Sequence, residues 1–248
     1  MKKSFSKNNF FLKLLRNKLT ERDQYKKALS FYESRKSDYV ETAKKLAKYI
    51  DKNKSIIDVG ANIGFFSLTL IKELDYKGTA YLFEPVSHLA RLCQKTFKWK
   101  KNKVKIFNWG LGEDNGSEII YISRDDNIGW NTIVKEKVKT QMETAEIIIR
   151  KFDDLGIENP GFMKIDVEGY EYKVIRGMMD SIKKHYPVIL VEVGWGKNSH
   201  PRWDEEVDVF RLLFQLGYKA YSIDGEEINF FEISETKDVL LLKSEHLN

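Results

Sequence analysis

The chain has 248 residues, enough for one α/β domain with decorations or for one domain and a small satellite. Hydrophobic residues at 42% suffice for a large core and charged residues at 32% point to a soluble protein, with no apolar run near the roughly 20 residues that span a bilayer. The net charge of +5 is concentrated at the start: residues 1–27 hold nine Lys/Arg against Glu21 and Asp23, a net +7, and the remainder sums to −2.

Residues 1–36 therefore read as a basic N-terminal extension, expected to be helical, with 37–248 as the main domain. Phe10, Phe11, Leu14 and Leu15 can line one face of a short basic helix, so residues 1–27 could make a weak contact with an acidic membrane or partner. Lys13 breaks Phe10-Phe11-Leu12, leaving no secretory h-region, and a cytoplasmic location is expected. A domain built to track nucleic acid would carry positive charge on its own face, so no specific nucleic-acid partner is expected. Cys93 is alone, which excludes an internal disulfide and offers no cysteine cluster for zinc.

Tyr39, Val40, Ala43, Leu46, Ala47 and Ile50 recur at helical spacing and predict a helix over 37–51. A strand at 55–59, a helix at 65–74, a strand at 79–83, a helix at 87–99 and a strand at 104–108 follow. Strands alternating with helices predict right-handed βαβ units and a mostly parallel sheet covered on both faces. Residues 116–151 interrupt this pattern. Strands at 118–122 and 145–149 predict an antiparallel β insertion, with Gly129-Trp130-Asn131-Thr132 in its connecting loop. The alternation resumes with a strand at 162–167, a helix at 170–183, a strand at 187–193, a helix near 204–216, and strands at 218–223 and 238–243.

Between the first strand and its helix stands Asp58-Val59-Gly60-Ala61-Asn62-Ile63-Gly64. A strand, glycine turn and helix cradle a nucleotide-like cofactor at the carboxyl end of a parallel sheet. The glycines fall as G-x-x-x-G rather than G-x-G-x-x-G, a poor match to a pyrophosphate cradle and similar to the first motif of S-adenosylmethionine (SAM) methyltransferases. Glu84, before Pro85 at the end of the second strand, can accept both hydroxyls of a ribose. Asn108, after the third strand, can meet an adenine edge or shape its own loop.

A second cluster, Lys164-Ile165-Asp166-Val167-Glu168-Gly169-Tyr170-Glu171, places Asp166 near the carboxyl end of the fourth strand and puts Glu168 and Glu171 on one face of the next helix. Together with Phe83-Glu84-Pro85, the Asn108–Gly116 turn, Phe152-Asp153-Asp154-Leu155, Arg176-Gly177 and Val191-Glu192-Val193, these motifs resemble the FkbM family of SAM-dependent methyltransferases over roughly residues 54–195. The resemblance implies a class I methyltransferase fold, a Rossmann-like sheet with an antiparallel C-terminal strand. It also implies O-methylation of sugars, glycans or secondary metabolites.

On that basis Asp58, Gly60, Asn62, Gly64, Glu84, Pro85, Asn108 and Asp166 are expected to bind SAM. Asp166, Glu168 and His200 are the candidate catalytic groups, since an alcohol needs help losing its proton. Asp166, Glu168 and Glu192 could together hold a divalent metal through oxygen ligands. Two alternatives share the fold: an NAD-dependent sugar-modifying oxidoreductase and a non-catalytic SAM-fold partner protein. The acceptor and the oligomeric state are not legible.

Overall fold

The fold is that of a computed structural model, which describes residues 20–98, 103–123, 131–135, 142–194, 197 and 202–247. The chain divides into two compact units between Lys36 and Ser37. The first helix, α1 (Glu21–Ala47), crosses that boundary; Thr20 caps it by accepting the amide of Asp23. The helix expected over 37–51 is thus the second half of a longer one that stops at Ala47, because residues 48–54 form a turn leading into β1.

The larger unit contains β1 (Ser55–Val59), α2 (Phe65–Glu73), β2 (Ala80–Phe83), α3 (Ser87–Thr96), β3 (Val104–Phe107), β4 (Gly110–Leu111), β5 (Gly116–Ser123), β6 (Asn131–Thr132), β7 (Met142–Arg150), β8 (Pro160–Ile165), α4 (Glu171–Gly177), α5 (Met179–His185), β9 (Val188–Val193), α6 (Trp203–Gln215), β10 (Lys219–Tyr221) and β11 (Lys237–Leu242). Seven strands form one sheet in the order β10-β11-β9-β8-β1-β2-β3. β3, β2, β1, β8 and β9 run parallel, and β11 is antiparallel to both β9 and β10. The apolar runs that form β1, β8 and β9 are buried on both faces, as a helix-covered parallel sheet requires. After β3 the chain returns to the other side of β1, so the strand order reverses between β1 and β8. That reversal is where open α/β sheets bind ligands.

The second sheet, β4-β7-β5-β6, is the insertion. Its β5 and β7 pair antiparallel from Gly116↔Ile149 to Ser123↔Met142. Asn131–Thr132, expected in a connecting loop, instead forms β6, paired with Tyr121 and Ile122; Gly129 and Trp130 lie outside the described residues. Two further differences from expectation bear on the site. The strand expected over 162–167 ends at Ile165, so Asp166 and Val167 belong to the turn that follows.

The helix expected over 170–183 is two helices, broken around Gly177 and Met178. A Cβ at Gly177 would lie 1.9 Å from the carbonyl oxygen of Gly112, so the turn after β4 presses directly on the helix there. Asp153 then caps α5, accepting the amides of Asp180 and Ser181 and the Ser181 hydroxyl. The Phe152-Asp153-Asp154-Leu155 motif is therefore structural: Phe152 is buried edge-on to Phe83, and Asp154 accepts from Asn115.

Gly177→Ala should cost on the order of 3 kcal/mol, because backbone rather than a flexible side chain occupies the space. Urea denaturation checks this, and an unchanged midpoint would show that the two turns are not packed as described.

Candidate active site

Three residues of the turn after β1 have left-handed backbones: Gly60 (φ 81°), Asn62 (φ 52°) and Gly64 (φ 83°). Asn is one of the few side chains that visits this region without great cost, which explains its place between the glycines. Each glycine also answers a close approach. A Cβ on Gly60 would stand 1.8 Å from the Asp166 carbonyl oxygen, and one on Gly64 would stand 2.6 Å from the Phe97 ring and 2.8 Å from Cys93 Sγ. Gly60 thus lets the turn after β1 touch the turn after β8, while Gly64 seats α2 on α3. Cys93 is buried packing in that seat, and burial pushes its thiol up, away from reactivity.

Glu84 ties the cofactor side together. One carboxylate oxygen accepts the Asn62 amide at 2.8 Å and the other accepts the Val86 amide at 2.8 Å. The side chain is only 5% exposed, and burial pushes its pKa up to about 7 although both amides favour the ionised form. Asn108 shapes its own loop: its side-chain amide donates to the carbonyls of Glu84 and Pro85, and its oxygen accepts from Ser87. Of the two roles open to it, loop shaping is the one this arrangement uses.

Asp58 lies beneath the glycine turn. Its Oδ2 accepts from Ser67 at 2.5 Å, its Oδ1 has no hydrogen-bond partner among the described residues, and burial raises its pKa against the pull of Lys164 and Ser67. Lys164 is the cation that balances this region. Its ammonium lies 2.8 Å from Asp166 and over the Phe66 ring. Burial opposes its charge, but Asp166 and Asp58 more than offset that, and its pKa is raised.

On the far side of Lys164, single oxygens of Asp166, Glu168 and Glu192 all lie within 4.8 Å of one another. Glu192 is pushed up to about 8 by burial and by the charges of Asp166 and Glu168; Asp238 stands directly opposite it on β11. Glu168 (φ 58°) occupies a left-handed turn ahead of α4, and Glu171 turns inward to zero exposure. The two therefore do not share a helix face, because the helix begins only at Glu171.

A cleft open to solvent lies between the two turns. Gly60, Asn62, Glu84 and Pro85 line one side, Asp166, Glu168 and Tyr170 another. Ile120, Asn131 and Ile133 of the insertion close the third. Of the expected residues, Asp58 and Gly64 support the cleft without lining it, Glu192 joins it through the acid cluster, and His200 lies outside the described residues.

Two contributors carry no individual role in the motif pattern. Lys164 had a signal, a lysine in an otherwise apolar strand. Thr132 had none; it is 1% exposed and donates to the Glu168 carbonyl at 2.7 Å, fastening the insertion to the turn.

A parallel sheet with its cleft at the strand reversal, a glycine turn without a pyrophosphate cradle and a ribose-competent carboxylate define a class I, SAM-type methyltransferase domain. The sequence profile of the Methyltransferase FkbM domain matches residues 58–220, and the chain belongs to that family. Membership implies SAM as methyl donor and displaces the NAD-dependent alternative.

Among solved structures, methyltransferase FkbM from Methylobacillus flagellatus KT is similar at 18% identity and TM-score 0.52, over 77% of this chain and 44% of that one. A putative rRNA-methylase from Clostridium thermocellum is similar at 9% identity and TM-score 0.51, over 81% of this chain and 91% of that one. At such identities the likeness is one of fold. The chain spans less than half the length of the Methylobacillus protein. No curated protein matches the sequence. Among the described residues, no helix is long and apolar enough to cross a membrane.

The raised pKa of Glu84 has a sign. The folded protein keeps this proton to about pH 7 whereas an unfolded Glu releases it near pH 4.3, so its contribution to stability falls as pH rises through that window and is constant above it. Melting temperature measured from pH 4 to 8 should decline less steeply in Glu84→Gln than in the wild type; parallel curves would show that Glu84 is not buried as a neutral acid.

Proposed function

We propose that the chain transfers a methyl group from SAM to a hydroxyl of a sugar, glycan or secondary metabolite. The observation that carries this reading is the meeting, across one cleft, of the glycine turn after β1 with Asp166 and Glu168, two members of a three-carboxylate cluster. The residues present fit SAM: the left-handed turn at Gly60 and Asn62 lines one side of the cleft, and Glu84 lines it beside them as the candidate partner of a ribose. When bound, SAM supplies an electrophilic methyl group for in-line displacement. The chain's own part is to hold the acceptor oxygen in line and to take its proton.

Asp166 and Glu168 line the cleft and can each accept a hydrogen bond from an acceptor hydroxyl. Close coupling with Glu192, whose pKa is pushed up to about 8, lets the cluster hold or accept one proton near neutrality, as general-base chemistry needs. The proton from the hydroxyl passes to the cluster as the carbon–oxygen bond forms. The walls formed by Ile120, Ile133 and Tyr170 exclude water from the methyl donor.

The same three oxygens suit a hard divalent cation, which would lower the pKa of a bound hydroxyl at that point. His200 stays a candidate base in the segment before α6, and residues 1–27 a candidate weak contact with an acidic surface. The acceptor is proposed only by class, and a cytoplasmic location accords with that class.

S-adenosylhomocysteine should raise the melting temperature, by an amount that grows with the logarithm of its concentration above its Kd, and NAD should leave it unchanged. A shift with NAD alone would sink the methyl-transfer reading. With labelled SAM and a panel of monosaccharides and glycans, Asp166→Asn should lower turnover by roughly a hundredfold or more while S-adenosylhomocysteine affinity changes only a few-fold. Prolonged treatment with a chelator decides the metal: retained turnover removes it, and loss restored by magnesium or calcium assigns it to the cluster.

A further inference from the structure

Two carboxyl groups are wholly buried behind the cleft: Glu171, the first residue of α4, and Glu206, in the first turn of α6. α4 and α6 pack against one another. Glu171 has a visible task. Its Oε1 accepts the amide of Val167 at 3.0 Å and that of Gly169 at 3.2 Å, gripping the turn on both sides of Glu168. Thr132 holds the same turn from the insertion through the Glu168 carbonyl. A left-handed backbone at a glutamate is disfavoured, so the turn keeps its shape because these bonds hold it.

Glu206 has no such task on view. Among the described residues neither of its oxygens meets a hydrogen-bond donor at full distance and angle; the Tyr172 amide comes nearest. Burial and the charge of Glu171 raise its pKa well above the carboxylate range, and the nearby Tyr172 amide is the group that pulls the other way. The groups that face Glu171 in turn, across the Val167–Gly169 turn, include Glu192, itself crowded by Asp166 and Glu168. The cations nearby are engaged elsewhere: Lys164 with Asp166, Arg202 just before α6 with the Tyr172 hydroxyl at 2.8 Å, and Arg176 with Glu113. An ionised Glu206 would be an unpaired buried charge, whereas a neutral one is a donor.

We propose that Glu206 is a protonated acid whose O–H donates to Glu171, and that this shared-proton pair is the positioning device that steadies the Val167–Gly169 turn and presents Glu168 to the cleft. Glu206 touches neither substrate nor donor and acts only through Glu171. The purpose given to Glu168 rests on the methyl-transfer reading above; the proton in the pair does not. The folded protein keeps this proton at a pH where an unfolded Glu, with a pKa of about 4.3, has lost it, so the pair makes stability fall as pH rises above about 5.

The test compares the full-length wild type with Glu206→Gln, Glu206→Ala and Glu171→Gln. At pH 8 the infrared difference between wild type and Glu206→Gln should contain the C=O band of a protonated carboxyl. Glu171→Gln should lose the same band, since its amide can donate to Glu206 and let it ionise. Glu206→Gln keeps a donor without needing a proton, so its melting temperature should fall less steeply above pH 5 and its affinity for S-adenosylhomocysteine should stay within about twofold of wild type. Glu206→Ala removes the donor and should weaken that affinity about five- to tenfold.

Absence of the band, or identical melting profiles for wild type and Glu206→Gln, would overturn the pair. A band with unchanged affinity in Glu206→Ala would overturn the positioning role. If Glu206→Ala does not fold, Glu206→Leu serves in its place. If no variant and not the wild type binds S-adenosylhomocysteine, the methyl-transfer reading fails, while the infrared and melting data still decide the pair.

Discussion

The backbone of Gly60 lies so close to the carbonyl of Asp166 that no side chain fits between them, and the site follows from that contact. It joins the turns after β1 and β8, the two strands between which the sheet reverses its order. The Asp166 amide donates to the Val59 carbonyl, and the amides of Gly60 and Ala61 donate to Phe83. The ends of β8, β1 and β2 are thus fastened by main-chain bonds. Asn62 then reaches Glu84, and Glu84 reaches Val86 at the start of α3. One glycine therefore fixes the spacing between the ribose-competent carboxylate and the acids that face it.

That spacing brings Asp58, Glu84, Asp166, Glu168 and Glu192 into one neighbourhood, with Lys164 as the buried counter-charge. Burial first, and the neighbouring acids second, disfavour the charged forms, so pKa values near neutrality at Glu84 and Glu192 are a consequence of the packing. Such an arrangement lowers stability relative to an apolar core, and proteins retain it where chemistry uses it. Lys164 keeps the cluster from being wholly self-repulsive. Its ammonium is held on the Phe66 ring and by Asp166, so it steadies one acid while leaving the others crowded.

The main sheet was legible because its strands are short apolar runs separated by turn residues and helices, and buried parallel strands leave that pattern. The placement of Glu84 and of the glycine turn at neighbouring strand ends was legible because each directly follows its own apolar strand. What stayed hidden depended on contacts distant in sequence. The periodicity across 170–183 is helical throughout, and only the Gly112 carbonyl pressed on Gly177 explains the break. Asp204, Glu205 and Glu206 read alike as acids favouring a helix N-terminus; packing against α4 is what sets Glu206 apart. Asn108 carried two readings until its bonds to Glu84 and Pro85 were visible. Glu168 offered no sign of its left-handed backbone, because nothing in a glutamate's own chemistry favours one; Gly169 beside it carries a positive φ as well.

The two halves of the cleft are made from different materials. On the donor side the shape comes from backbone: glycine turns, amide-to-carboxylate bonds and strand ends, which tolerate little change because each replacement meets main chain. On the opposite side it comes from side chains of the insertion and α4. Ile120, Asn131 and Ile133 line the cleft, Tyr170 donates to Glu118 on β5, and Thr132 fastens β6 to the Glu168 turn. Such a wall can be rebuilt by substitution without disturbing the sheet, provided Thr132 keeps its hold on the turn. A fold organised in this way can keep one methyl donor while altering the acceptor. The insertion, though it interrupts the βαβ pattern, supplies the wall of the cleft that can vary while the sheet and its turns stay fixed.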